Sequence, residues 1–493
     1  MTQHAHAAPS LPEQPHPRRW AAMFILLLAA FMNLVDVTIV NVALPTLQRN
    51  LGASPADLEW IVAAYVLAFA VGLLPFGRLG DMLGRKTVFL AGIAGFTVCS
   101  GLCGAAPSIG WLIAARVLQG LSAAMMMPQT LALVQVLFTA KERGAAFSLF
   151  GLNAGLAAVA GPLVGGLLIN ADLFGLDWRP IFLVNLPIGA LAVVAGLRLI
   201  PSLAGHRGIG IDWIGIPMAI AVVLCLLFPL IEGRELGWPA WVFVMLALAA
   251  PAAGLFLLWQ RRQLRRDRPQ LLPFGLIRNP AYLVGTTMTM TMFASMPGFF
   301  LVFAIFLQSG FGFSAFESGY TTTPMPVGIF LASLVNGRLG SRALRPRVAI
   351  GAMIALAGFV WLRTLVGGVV DTVDHWHLAP ALLVIGLGMG STIGPMFQTV
   401  LMTIPPRDAG SGSGALQSFQ QIGMALGVAI AGEIFFSSLG QAPDHAAFVG
   451  ALTNAFAMQF VAFPTVLVLL AILSLALARH ARAAPPQPAP QEA

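Results

Sequence analysis

Asp36, Glu433 and Arg116 stand where a hydrocarbon environment is expected. Asp36 lies in FMNLVDVTIVNVALP (residues 31–45), Glu433 in GVAIAGEIFFSS and Arg116 in ARVLQGLSAA, each set within apolar sequence. A charged side chain at the centre of a membrane helix is disfavoured by roughly 2.5–3.5 kcal/mol on insertion scales, so residues of this kind usually have a task. Burial disfavours the ionised form of a carboxylate, and an acid that ionises reversibly can load a proton on one side of a membrane and release it on the other. Asp36 and Glu433 are both expected to open toward the outer side of a central cavity, although Glu433, close to its span end, could instead reach the interface. Arg116 must find water, carbonyls or an anion. It either neighbours Asp36 or the loop at 77–86 and sets proton affinity, or it snorkels or bonds backbone.

The elements that must position these residues follow from composition. The chain has 493 residues, 58% hydrophobic and 9% charged, far below the roughly 25% charge of soluble domains. An all-α polytopic membrane protein is the expectation. A helix needs about 20 residues to cross the hydrocarbon, and fourteen candidate spans fall near 20–44, 58–77, 87–106, 109–138, 145–170, 179–200, 211–231, 239–259, 280–307, 319–337, 347–366, 376–402, 412–437 and 455–478. With both termini cytoplasmic, 22 of the 27 Lys and Arg residues fall in inside segments and four outside, as the positive-inside rule requires. The net charge of +8 is scattered among these loops, which argues against a nucleic-acid partner.

Several signals carry no chemistry. Cys99, Cys103 and Cys225 lie within spans and act as small apolar residues, with no disulfide framework. His375 and His377 beside Asp371 and Asp374 fix no ligand geometry, so no metal and no cofactor is expected. There is no Walker motif for ATP-driven transport, and no span carries an acid pair or a His-based nucleophile, so the chain is not read as an enzyme. Residues 1–19 form a polar tail before a retained first span, and the Pro/Ala/Gln-rich 481–493 reads as disordered.

The tetrapeptide GRLG occurs twice, at 77–80 and 337–340, each time followed by basic residues after the second helix of a six-helix set. That placement indicates two parallel repeats, 20–205 and 269–480, with helices 7 and 8 and a basic cytoplasmic loop inserted at 206–268. Asp81, between two glycines and just ahead of Arg85 and Lys86, can take an ion pair and the N-terminal dipole of the third span, a tie that would close the cytoplasmic side in one state.

Taken together, the motifs resemble the fourteen-span drug:proton antiporter family of the major facilitator superfamily. LVDVTIVNVALP is similar to the family's first-span motif through Asp36, Thr38, Asn41 and Pro45. GRLGDMLGRK matches the superfamily loop motif through Gly77, Gly80, Asp81, Gly84, Arg85 and Lys86. Arg116, Gln119 and Gly120 match the fourth-span motif, and Gly161, Pro162, Gly165 and Gly166 the fifth-span antiporter motif. WRPIFLVNLPIG looks like the family's sixth-span start, though Pro180 replaces a usually aromatic residue.

The resemblance implies a major facilitator fold of two six-helix bundles plus two inserted helices in the bacterial inner membrane. It implies proton-coupled export of small amphipathic or cationic compounds by alternating access. On this reading Asp36 and Arg116 couple protons, joined by Glu433 on the strength of its place in an apolar span and not of any family motif; Gly77, Asp81, Gly84, Arg85 and Lys86 form the cytoplasmic gate, and Gly161, Pro162, Gly165 and Gly166 bend the fifth helix. Asn41, Gln119, Gln417 and Gln421 are candidates for the substrate path. The partners are then a small molecule, protons and the bilayer, with the chain a monomer, alone or with accessory export proteins. Export of one metabolite, siderophore or antibiotic is the second transport reading; a non-transporting sensor, which would need no titrating carboxylate, is the reading of another class.

Overall fold

The computed structural model describes residues 16–139, 141–172, 175–202, 205, 210–233, 236–439 and 444–483; the rest of both expected tails lies outside these. Backbone N–H and C=O groups in hydrocarbon must be satisfied within the segment, which leaves helices as the solution here. They are α1 (Arg19–Leu51), α2 (Pro55–Leu83), α3 (Arg85–Gly104), α4 (Ile109–Leu137), α5 (Arg143–Asn170), α6 (Pro180–Leu183), α7 (Asn185–Leu199), α8 (Gly215–Glu232) and α9 (Ala240–Arg265), followed by α10 (Phe274–Arg278), α11 (Pro280–Ile305), α12 (Ala315–Thr322), α13 (Pro324–Leu339), α14 (Leu344–Gly367), α15 (His375–Leu401), α16 (Ala409–Leu439), α17 (His445–Ala455) and α18 (Ala457–Ala483). No strand occurs among the described residues. Ser54 with Asp57, and Ser314 with Glu317, form reciprocal capping boxes that start α2 and α12.

Among the described residues, twelve helical segments are long and apolar enough to cross a membrane, against the fourteen expected along the whole chain. The two not among them are α5 and the pair α12–α13. The latter is broken at Thr323 into pieces of 8 and 16 residues, each shorter than a bilayer requires.

The packing repeats. In the first half α4 packs on α2 and α3, α1 on α5, and α7 on α3 and α1; in the second, α15 packs on α13 and α14, α11 on α16, and α18 on α14 and α11. The two halves meet through α2 with α16 and α5 with α13, as a pseudo-two-fold relation demands. The α8–α9 hairpin breaks that symmetry: α8 lies against both α2 and α16, where Val223 and Leu227 pack with Leu67 and Ala70.

Small residues set these approaches, because without a hydrophobic force between helices in lipid, close backbone contact supplies the packing energy. A Cβ at Gly120 would strike the α2 backbone at Tyr65, one at Gly386 the α13 backbone at Met325, and one at Gly427 the α11 backbone at Ala294. Gly427→Leu is therefore expected to destabilise the protein by at least about 1–3 kcal/mol, whereas Gly254→Leu, at a position with nothing within 4 Å, leaves it unchanged. Equal thermal unfolding of the two variants in detergent would contradict the close α11–α16 approach.

Candidate functional site

Asp36, on α1, is completely buried. Its carboxylate accepts from Arg116 Nη1 at 2.5 Å and from Gln119 Nε2 at 2.8 Å. Arg116 and Gln119 are one helical turn apart on α4, so both face α1, and the same Nη1 also donates to Gln119 Oε1 at 2.8 Å. Arg116 Nε donates to the Ile61 carbonyl of α2, and the guanidinium lies 4.1 Å from the centre of the Tyr65 ring. Tyr65 in turn accepts from Asn33, one turn before Asp36 on α1. The result is a buried ion-paired cluster shared by three helices.

Two expectations change here. Asp36 does not open onto a cavity, because α2 and α4 close over it inside the first bundle; Arg116 sits beside it and neither snorkels nor reaches the 77–86 loop. Gln119, expected along the substrate path, is fully buried as the second ligand of the carboxylate. Tyr65 and Asn33 were not picked out from sequence, although Asn33 shares the Asp36 face of α1 by spacing alone and Tyr65 is one of only three tyrosines.

The loop at 77–86 makes the second constellation. Asp81 is buried and accepts from the backbone N–H of Gly410 at 2.9 Å and of Ser411 at 2.8 Å, from the Ser411 hydroxyl at 2.9 Å and from Arg85 at 3.3 Å. It therefore sits on the N-terminus of α16 in the other bundle, rather than on that of α3 as expected, and orphan N–H donors with their partial positive charge are what a carboxylate seeks. Gly77 allows this by letting the α2 backbone meet Gly410, where a Cβ would collide. Arg85 also donates to the Pro406 carbonyl at 2.5 Å. Lys86 takes no part: its Nζ bonds the Leu197 carbonyl at the end of α7. Gly84, with φ of 97°, supplies the turn between α2 and α3 that other residues resist.

On α5, a Cβ at Gly161 would meet the Thr38 hydroxyl and one at Gly165 the Ile39 side chain, so these two bring α5 onto α1 near Asp36. Gly166 has open space beside it, and the helix is continuous across the expected bend. The side chains of Asn41 and Pro162 lie outside the described ones. Gln417, buried with its amide nitrogen unpartnered, is on the α16 face toward α2, and Gln421 is half-buried one turn on. Glu433 is exposed and joins neither network among the described residues, so the burial expected of it is not found. Glu232, at the end of α8, is a buried acid that the span boundaries missed by one residue.

The family model of the Major Facilitator Superfamily matches residues 26–208 and 195–428. The chain belongs to that superfamily. A probable actinorhodin transporter of Streptomyces coelicolor is 40% identical over 86% of this chain and 74% of its own. A puromycin resistance protein of Streptomyces alboniger is 37% identical over 84% and 82%, and a tetracenomycin C resistance and export protein of Streptomyces glaucescens 31% identical over 87% and 78%. Among solved structures, the human organic anion transporter MFSD10 superposes with a TM-score of 0.64, at 16% identity over 92% of this chain and all of its own, a likeness of fold. As a superfamily member the protein is a multi-pass membrane transporter of small molecules.

Two outcomes test this geometry. Removing one partner of a buried pair strands the other charge and costs about 3–5 kcal/mol, while removing both is far milder. Arg116→Leu is thus expected to unfold well below Asp36→Asn/Arg116→Leu in thermal scans; additive losses would dissolve the pair. A cysteine introduced at buried Ser413 is expected to react with a bulky maleimide several-fold faster when Asp81→Ala is added, and unchanged reactivity would deny Asp81 its closing role.

Proposed function

We propose that this transporter exports small amphipathic or cationic compounds from a bacterial cell across the inner membrane, in exchange for protons, by alternating access. The observation that carries this reading is the buried Asp36–Arg116–Gln119 cluster, a carboxylate whose charge is held only by an internal counterion. When Asp36 takes a proton, the ion pair is lost, and Arg116 keeps the Ile61 carbonyl, Gln119 Oε1 and the Tyr65 ring as partners. Protonation thus leaves Arg116 hydrogen-bonded but without its counterion, an imbalance that favours a state in which the cluster reaches water or another anion. The names of the antibiotic transporters and resistance proteins among its relatives support export. They also favour the second reading, a single antibiotic or other dedicated metabolite as substrate.

The architecture that supports this is fourteen spans with both termini cytoplasmic: bundles 20–205 and 269–480 with the pair and its basic loop at 206–268. The 22-to-4 distribution of basic residues supports that orientation, and α5, of 28 residues, and the α12–α13 pair supply the remaining crossings. The Asp81 end is then cytoplasmic and closed. Gln417 and Gln421, on the α16 face toward α2, border the path that opens when the bundles part. The chain acts as a monomer and not as an enzyme.

With Asp36 as the one buried carboxylate of the exchange and Glu433 outside it, one proton for one monovalent cation is electroneutral. The drive is then about 1.4 kcal/mol per pH unit, and the membrane potential adds nothing. In inverted vesicles, a panel of cationic dyes and antibiotics is expected to include compounds that trigger proton release from wild type and from Glu433→Gln but not from Asp36→Asn. Release that persists in a normally expressed Asp36→Asn protein would remove Asp36 from the mechanism.

A further inference from the structure

A cavity of about 320 Å³ opens at the end of the molecule that carries Asp81, between the two bundles. Gln135 and Arg143 wall it from the first bundle, and Leu401, Met402, Ile404 and Pro406 from the second. Its size falls at the lower end of the roughly 300–1,000 Å³ typical of small-molecule sites. Two donors are left over on its wall. Gln135 is more than nine-tenths buried, yet its amide nitrogen has no hydrogen-bond partner. Arg143 donates Nε to the Phe138 carbonyl and Nη2 to the Gln135 carbonyl, which leaves Nη1 without a partner among the described residues.

Among the described residues no carboxylate lines the cavity. The neighbouring acids are engaged elsewhere: Glu142 is held by Arg19 at 2.7 Å, which keeps its carboxyl below the usual glutamate range, and Asp408 faces Arg78 and Arg407. The buried unpaired amide of Gln135 costs about 1–3 kcal/mol, and the Arg143 guanidinium beside it meets only carbonyl oxygens. An acceptor with a negative charge would complete the site. The opposite wall, of Leu401, Met402 and Ile404, suits hydrocarbon, and Met402 is largely exposed at the rim.

We propose that this cavity binds a phosphate-bearing amphiphile, the headgroup of an anionic phospholipid of the cytoplasmic leaflet, with its phosphate on Gln135 and Arg143. Basic pockets between helices on the cytoplasmic side are suited to such headgroups. The occupant touches both bundles, and one wall residue, Pro406, is also the carbonyl that Arg85 grips beside Asp81. A bound lipid therefore ties the bundles together at the closed end and favours the state with that end shut. The inference goes beyond proton exchange and does not depend on it; it takes only the membrane orientation from that reading.

The test is thermal unfolding of the full chain, purified in neutral detergent and depleted of lipid, titrated with phosphatidylglycerol, phosphatidylcholine, glycerol 1-phosphate or inorganic phosphate. Saturable upward shifts of several degrees with phosphatidylglycerol are expected, since a ligand of the folded state raises Tm. Gln135→Leu keeps the backbone carbonyl that Arg143 holds and should weaken apparent affinity about tenfold or more, as loss of one hydrogen bond to a charged group does. Arg143→Lys, which retains charge but not the guanidinium fork, is the second variant should the first fold poorly, with the same loss expected. A shift with phosphatidylglycerol alone assigns the lipid; one matched by glycerol 1-phosphate or inorganic phosphate assigns a soluble phosphate to the same donors. No saturable shift with any of these, an equal shift with phosphatidylcholine, or equal affinity in both variants and wild type overturns the proposal.

Discussion

A charge sealed away from water must carry its counterion with it, and the Asp36–Arg116 pair is where this protein meets that demand. Neither residue could occupy its place without the other. Together they are charge-balanced, yet each remains sensitive to any proton or ligand that alters its partner. Around them Gln119, the Ile61 carbonyl, Tyr65 and Asn33 saturate the remaining donors and acceptors, so the pair is held in one geometry by groups from α1, α2 and α4. In the proposed exchange, a proton on Asp36 would change what holds those three helices together, so that a small event inside one bundle would bear on its shape.

Helix α2 connects this cluster to the closed end of the molecule. It bears Ile61 and Tyr65 at the pair and Gly77 and Asp81 at the seam with α16, about 24 Å apart along one helix at 1.5 Å per residue. A rigid element that contributes to both constellations is the simplest physical link between protonation and closure, and here it is a continuous helix with one interior proline, Pro75. The inserted α8 lies against α2 and α16 and so covers one side of the seam that closure must work on.

The two halves solve the same packing problem with unequal chemistry. Asp81 follows the first GRLG and receives the N-terminus of α16; Ser341 follows the second and accepts from Gln398 at 2.6 Å, with no carboxylate to offer α5. The backbone approach survives, since Gly144 at the start of α5 meets Gly340 closely. Arg347 there spends its guanidinium on Asn336 and the carbonyls of Gly340 and Arg342 within its own half. The charged latch is thus one-sided, and only the α2–α16 contact of the two symmetric seams carries a full negative charge at a helix N-terminus.

The amino-acid sequence by itself determined the helical membrane class and the internal repeat, and it marked out Asp36, Arg116 and the Asp81 loop as charges that need partners. These follow from local facts: hydrophobic length against bilayer thickness, and the cost of a lone charge in an apolar run. What it left open was every question of facing. Asp36 against Arg116, Asp81 against Gly410 and Ser411, and Gln119 as a carboxylate ligand join residues 80 or more positions apart, and helix rotation about its own axis leaves no trace in hydrophobic content. The same gap explains Glu433, an acid in an apolar run like Asp36, which packing leaves exposed. Whether a charge in a span is buried and partnered depends on which neighbour covers its face, and only the tertiary structure decides that.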